Sequence, residues 1–341
     1  MREKFTVLTV TCVLFGLLAS CNSEFRSMVK KSKSRSIADI DTAAVWFYKH
    51  KKYDRAIPLF EQLVPATAGT DRQPELYYYY GWSRFMIGEM VSAAFYFEDF
   101  AQKFPSNEHA TECEFMVAKC YYRLSDPHYL DQTYTNKAIA QSQLFISRNP
   151  GSEYEDEAMG FLDDLRERKA KKAFEQAKLY YNLGYFKAAV TAFEVLISEF
   201  PDSDFREESQ FLLYKSSHEL ARVSTDRRKI ERYEEAEEFY QKFARKFPDS
   251  EYGKEALSMS ETGQKNLEDL RIEELELEQA NLYRSIQQNV QAALRTTDQQ
   301  EREEATARAL ESYERLRDDY PDSEYLPKAD QQYSKLGEVE D

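Results

Sequence analysis

Three features of this 341-residue chain predict an all-α fold built as a solenoid of tetratricopeptide-type (TPR) helical hairpins. Glycine and proline are scarce, at 10 each, too few for the turns of a sandwich, a barrel or a dinucleotide-binding sheet. The 22 Phe and 24 Tyr sit among Ala, Glu, Lys, Gln and Leu, which favour helix. One pattern then recurs five times with the same spacing: Ala, an aromatic or small residue four positions on, and Pro eight positions later.

In chain order, the first element precedes the fold. Arg2 and Lys4 open the sequence, and Phe5 to Leu18 is mostly apolar. Such a run is shorter than the roughly 20 residues of a membrane-spanning helix and reads as a secretory leader. Leu18-Ala19-Ser20-Cys21 resembles the lipobox of bacterial lipoproteins. The expectation is a signal peptide over residues 1–20, cleavage before Cys21, and palmitate-type acylation of that cysteine. Buried acyl chains at about 0.8 kcal/mol per methylene would hold the protein at a bilayer. Residues 21–36, with Arg26, Lys30, Lys31, Lys33 and Arg35 among serines, read as a flexible tether.

Residues 37–263 read as the TPR array. The instances are Ala93–Phe97–Pro105, Ala138–Ser142–Pro150, Ala189–Phe193–Pro201, Ala236–Tyr240–Pro248 and, further on, Ala309–Tyr313–Pro321. Ala56–Phe60 begins a further, N-terminal unit without the proline, giving five to six units winding as a right-handed superhelix. Positions i and i+4 share a helix face, so the Ala admits a neighbouring helix and the ring fills the gap beside it. Proline stops the helix, since it lacks a donor and clashes with the preceding turn. The polar residues after each proline, such as Asp202-Ser203-Asp204 and Asp249-Ser250-Glu251, are N-cap candidates for the next helix.

The repeat alanines are 37, 45, 51, 47 and 73 residues apart. The excess over the usual TPR length is assigned to the 124–135 and 223–232 connections and to a lengthened helix over 156–171. Residues 264–341 read as a charged extension with a long helix over roughly 264–287 and a final TPR-like unit. Cys113 and Cys120 lie seven positions apart, about 10.5 Å along one helix, too far for a disulfide.

The net charge of −15 repels phosphate backbones and disfavours nucleic-acid binding. His50, His109, His128 and His218 have no partners at metal-ligand spacing, and no phosphate-loop, calcium-loop or nucleophile-elbow motif occurs. No cofactor, metal or catalytic group is expected, and the chain reads as a non-enzyme. TPR arrays bind through the first helices of successive hairpins. The register places Val45, Tyr48 and Lys49, then Tyr78, Trp82, Phe85 and Met86, then Met116 and Arg123 along that groove. Aromatic rings flanked by Lys49 and Arg123 would suit a peptide with aromatic residues and a terminal carboxylate. Several of these rings could equally be inter-repeat core, since Tyr77 to Tyr80 cannot all face one way.

Beyond generic TPR features, the chain resembles the BamD family of outer-membrane β-barrel assembly lipoproteins. The resemblance is carried by Ala118-Lys119-Cys120-Tyr121-Tyr122, Asp131-Gln132 ahead of Ala138-Ile139, Asn149-Pro150-Gly151-Ser152-Glu153-Tyr154, and the stretch from Ala177 to Pro201. It implies an outer-membrane location on the periplasmic face, docking on the POTRA domains of a BamA-like barrel subunit, and capture of unfolded outer-membrane protein C-terminal segments. A different envelope scaffold, for the cell wall or division, and a carbohydrate-binding or enzymatic lipoprotein remain open alternatives on the sequence.

Overall fold

The computed structural model describes residues 36–337. The leader, Cys21 and most of the tether lie outside the described residues. Within these bounds there are thirteen helices and no strand. They are α1 (Ile37–Lys49), α2 (Tyr53–Ala66), α3 (Gln73–Met86), α4 (Met90–Lys103), α5 (Ala110–Leu124), α6 (Thr133–Arg148), α7 (Glu155–Asn182), α8 (Phe186–Glu199), α9 (Arg206–Arg222), α10 (Asp226–Lys246), α11 (Gly253–Arg295), α12 (Gln299–Asp319) and α13 (Leu326–Gly337). The pattern of TPR helical hairpins stands. The chain forms two compact units, one ending at Lys172 and one beginning at Ala173, so the division falls inside α7.

Each repeat proline ends its helix by the same local geometry. The preceding residues Phe104, Asn149, Phe200, Phe247 and Tyr320 all leave the helical region, with φ between −125° and −136° and ψ between 54° and 65°. Each still donates its N–H to the carbonyl four residues back, closing the last turn. Three residues later, the N–H of Asn107, Ser152, Ser203, Ser250 or Ser323 returns to that same pre-proline carbonyl at 3.0–3.3 Å.

The N-cap expectation is corrected here. The residues at the cap positions are His109, Phe205 and Tyr252, and none makes a side-chain capping bond. The polar residues act one step earlier. Asn107 Oδ1 accepts from His109 N–H at 2.9 Å, Ser250 Oγ from Tyr252 N–H at 3.1 Å and Ser323 Oγ from Tyr325 N–H at 3.2 Å. After Pro105, Pro248 and Pro321 these side-chain turns lead the chain to the residue four after the proline. After Pro150 and Pro201, where the Ser152 and Ser203 hydroxyls have no partner among the described residues, the backbone turn alone does so.

That residue is a ring in every case, and it stacks on the first helix of the hairpin just completed. His109 lies on Tyr78 at 4.1 Å, Tyr154 on Phe115 at 4.8 Å, Phe205 on Phe174 at 4.9 Å, Tyr252 on Phe211 at 4.7 Å and Tyr325 on Tyr283 at 5.4 Å. The interplanar angles run from 11° to 26°. Aromatic pairs of this kind add about 0.5–1.5 kcal/mol beyond the area they bury.

The first unit holds two joined cores. One centres on Phe47, Phe60 and Leu76, the other on Phe97, Phe100, Phe115 and Phe145. Repeat alanines 93, 138 and 189 are fully buried, as are Phe97 and Phe193. Cys113 and Cys120 are both buried and free, and burial pushes the Cys120 thiol up to about 12. In the second unit Leu282, Ile286, Val290, Ala309, Leu316 and Ala329 tie α11, α12 and α13 together. Tyr240 and Tyr313 are only half-buried; Tyr313 instead stacks on Tyr333 and donates its hydroxyl to Asp330 at 2.6 Å.

Two length expectations change. The 223–232 excess is not a loop: α10 starts at Asp226, so most of it forms two extra helical turns. The long charged helix is longer than read from the sequence, 43 residues from Gly253 to Arg295, because nothing in it breaks the helix at 264. By contrast α7 is one lengthened helix of 28 residues, and 125–132 is an irregular connection, both as expected.

Candidate functional site

The first helices of the three hairpins in the first unit are α1, α3 and α5. The predicted groove rings Tyr48, Tyr78, Trp82 and Phe85 are linked into one chain through Tyr79. Tyr48, in the last turn of α1, stacks on Tyr79 of α3 with centroids 4.3 Å apart, and meets Tyr53 at 5.8 Å. Tyr79 leads to Tyr78 at 6.0 Å, Tyr78 to Trp82 at 6.3 Å, and Trp82 to Phe85 at 5.4 Å. Arg123 of α5 ends the ladder with its guanidinium 4.8 Å from the centre of the Phe85 ring. The 3.6-residue period of α3 makes this possible, since positions 78, 82 and 85 fall on one face and 79 leans toward α1.

The positions are not equivalent in exposure. Tyr48, Tyr78 and Trp82 are half-buried, while Lys49 and Arg123 are exposed. Met86 is 48% exposed. Phe85 is 5% exposed and Met116 is 2% exposed; both belong to the core. These two correct the groove reading: Phe85 serves as the ledge beneath Arg123, and Met116 packs among Phe97, Phe100 and Phe115. Val45 packs against the core around Phe47 and Phe60. Tyr53, Tyr79 and His109 complete the ladder although they were not singled out; the signal for His109 was its place four residues after Pro105.

The electrostatics are mixed. Tyr78 donates its hydroxyl to Glu112 at 2.8 Å, and His109 lies 3.4 Å from the same carboxylate. Tyr79 donates to Glu75 at 2.7 Å, and burial with that carboxylate pushes its phenol up to about 12. Burial raises Tyr48 and Tyr78 further, so these three phenols stay protonated. Arg123 makes no ion pair with any described residue, and it is the end of the ladder at which an added carboxylate finds a free guanidinium.

No group of three or more His, Cys, Asp or Glu among the described residues is placed to hold a metal ion. No described helix is long and apolar enough to cross a membrane.

The YfiO family, described as outer membrane lipoprotein, matches residues 38–231, more than half of the chain. The tetratricopeptide repeat family matches residues 227–250 and 275–323. No curated protein matches the sequence. Among solved structures, the TPR domain of P58(IPK) is similar at 14% identity over 92% of this chain and 70% of that one, with a TM-score of 0.33. The TPR2AB domain of yeast Sti1, solved in a complex with pHSP90, is 14% identical over 88% of this chain and 98% of that one, with a TM-score of 0.32. The apo form of RapI is 11% identical over 88% and 82%, with a TM-score of 0.29. By the extent of the match over residues 38–231 and the TPR repeats that follow it, this chain belongs to the YfiO family of outer membrane lipoproteins, the BamD-like family its residues resemble.

Proposed function

We propose that this protein is a non-enzymatic lipoprotein subunit of the outer-membrane β-barrel assembly (BAM) complex. It scaffolds the POTRA domains of a BamA-like barrel subunit and receives unfolded outer-membrane proteins by their C-terminal segments. In this reading Cys21 carries the lipid, and the protein sits on the periplasmic face of the outer membrane. Family membership supports the assembly, and the TPR hairpin supports recognition by shape rather than catalysis.

The observation that carries the substrate reading is the ring ladder from Tyr48 to Phe85 closed by Arg123, which has no ion pair among the described residues. Rings offer faces for aromatic side chains of an extended segment. A terminal carboxylate reaching Arg123 would add a charge-assisted bond of about 1.5–3 kcal/mol. Lys49 and Met86 would extend the same face at its edges.

The test is a gentle-detergent pull-down of the tagged full-length lipoprotein. Recovery of a BamA-like barrel subunit is expected. Recovery of cell-wall or division proteins in its place would replace this reading with that of another envelope scaffold.

A further inference from the structure

Two hairpins carry the repeat pattern in identical internal spacing, α3/α4 and α7/α8, with every equivalent residue 96 positions apart: Ala93 and Ala189, Phe97 and Phe193, Pro105 and Pro201. In α3/α4 Tyr80 and Arg84 are covered by α2, with Tyr96 beside Tyr80 and Tyr77 next to Tyr96. Phe60 of α2 sits 6.2 Å from the Tyr80 ring, and Glu61 pairs with Arg84 at 2.8 Å and accepts from the Tyr80 hydroxyl at 3.2 Å. The equivalents in α7/α8 are Ala173, Gln176, Tyr180 and Ala192. These four border a cavity of about 850 Å³, whose remaining lining comes from α8, its entry turn and the end of α9.

We propose that this cavity receives an amphipathic helix of a partner protein, seated as α2 is seated on α3/α4. The repeat register fixes the occupant as a helix, since the equivalent face accepts one elsewhere in this chain. Its chemistry follows from the substitutions. Two of the rings, Tyr77 and Tyr96, are replaced by Ala173 and Ala192, so the space they fill is left for bulky anchors such as Leu or Phe at i, i+3, i+4 and i+7. The apolar rim continues through Val195 and Val223, which are 48% and 56% exposed. Lys187 is the one charged residue in the lining, so the helix carries Asp or Glu beside its anchors. The inference rests on the protein-interaction reading above but uses a different unit from the ring ladder.

The test places p-benzoylphenylalanine at Thr191, an exposed residue of the lining, in the full-length lipoprotein in its native envelope. Photo-adducts are then sequenced by mass spectrometry. The adduct is expected on a segment with apolar residues at i, i+3, i+4 and i+7 and acids between them. Ala192→Glu and, as a second variant, Ala188→Glu should each reduce its yield at least about tenfold, since both place a carboxylate in an apolar groove, with circular dichroism unchanged. Absence of the barrel subunit from the pull-down would not remove the adduct. No protein adduct, adducts to lipid alone, to a second copy of this chain, or to an extended or basic segment would each overturn the proposal.

Discussion

The Phe97 ring lies 3.1 Å from the point where a Cβ on Gly81 would stand. Gly81 is a helix-interior residue of α3 and Phe97 a fully buried one of α4, so the missing side chain sets how closely the two helices pack. A glycine costs a helix about 1 kcal/mol relative to alanine, and the close approach is what offsets it here.

Gly81→Ala is therefore expected to lower stability by about 1–2 kcal/mol, overpacking exceeding the gain in helix propensity. Gly160→Ala, on an exposed face of α7 with nothing within 4 Å of the new carbon, should raise it by up to about 1 kcal/mol. Urea midpoints of the two variants moving in the same direction would contradict the assigned packing.

Lys51 closes the α1–α2 turn with φ of +57°, in the place where Gly88 and Gly184 close the equivalent turns at +88° and +76°. In all three the residue after it bonds back five positions, Lys52 to Phe47, Glu89 to Arg84 and Tyr185 to Tyr180, each at 2.9 Å. A left-handed non-glycine residue carries a conformational cost of about 1 kcal/mol. Lys51→Gly should therefore stabilise the first hairpin by roughly 0.5–1 kcal/mol, read as slower amide exchange in α1 and α2. Unchanged or faster exchange would show that the lysine side chain contributes more than the strain removes.

His218 of α9 is buried against Tyr214, Tyr233 and Gly263, and neither ring nitrogen has a hydrogen-bond partner. Burial holds its pKa below the usual 6.5, outweighing Glu219, whose carboxylate oxygen stands 3.9 Å away. Glu237 of α10 and Ser260 and Gln264 of α11 border the same small space, and Arg222 adds a repelling charge. Above pH 6.5 the ring is neutral in both states and contributes nothing to the pH dependence. As pH falls below 6.5 the unfolded chain takes the proton first, so stability declines and levels off below the folded-state pKa. His218→Gln should flatten that decline in denaturation measured from pH 7.5 to 5; an identical slope would show that the histidine is not its source.

The ring four residues after each proline predicts a further cost. Tyr252→Ala removes a stack at 4.7 Å on Phe211 and should lower stability by about 1–3 kcal/mol, counting lost burial and the ring pair. No change in the unfolding midpoint would show that the stack merely accompanies packing achieved by other residues.

Much of the fold was legible because it is written locally. The residue four after each repeat alanine, a ring in four units and Ser142 in one, and the proline eight residues later each act within one or two turns of helix, and all five helices end in the same local geometry before their proline. The rings at 109, 154, 205, 252 and 325 were equally visible at a fixed distance from proline, but the polar residues beside them drew the capping interpretation. The ladder was half legible. Helical period put Tyr78, Trp82 and Phe85 on one face, yet whether a ring on that face is core or surface depends on the neighbouring helix, so Phe85 and Met116 turned out buried. The cavity beside Tyr180 was not legible, because nothing in Ala173 or Ala192 says whether another helix covers it.

Arg123 gives the most direct test of substrate capture, since it is exposed, unpaired among the described residues and can be changed without opening the core. Binding of a labelled peptide ending in Phe with a free carboxylate should be measured by fluorescence anisotropy on the full-length lipoprotein. Arg123→Ala and amidation of the peptide terminus should each weaken binding by about tenfold, some 1.4 kcal/mol, and together by no more than either alone. Equal affinity for the free and amidated peptides, or for wild type and Arg123→Ala, would contradict the account.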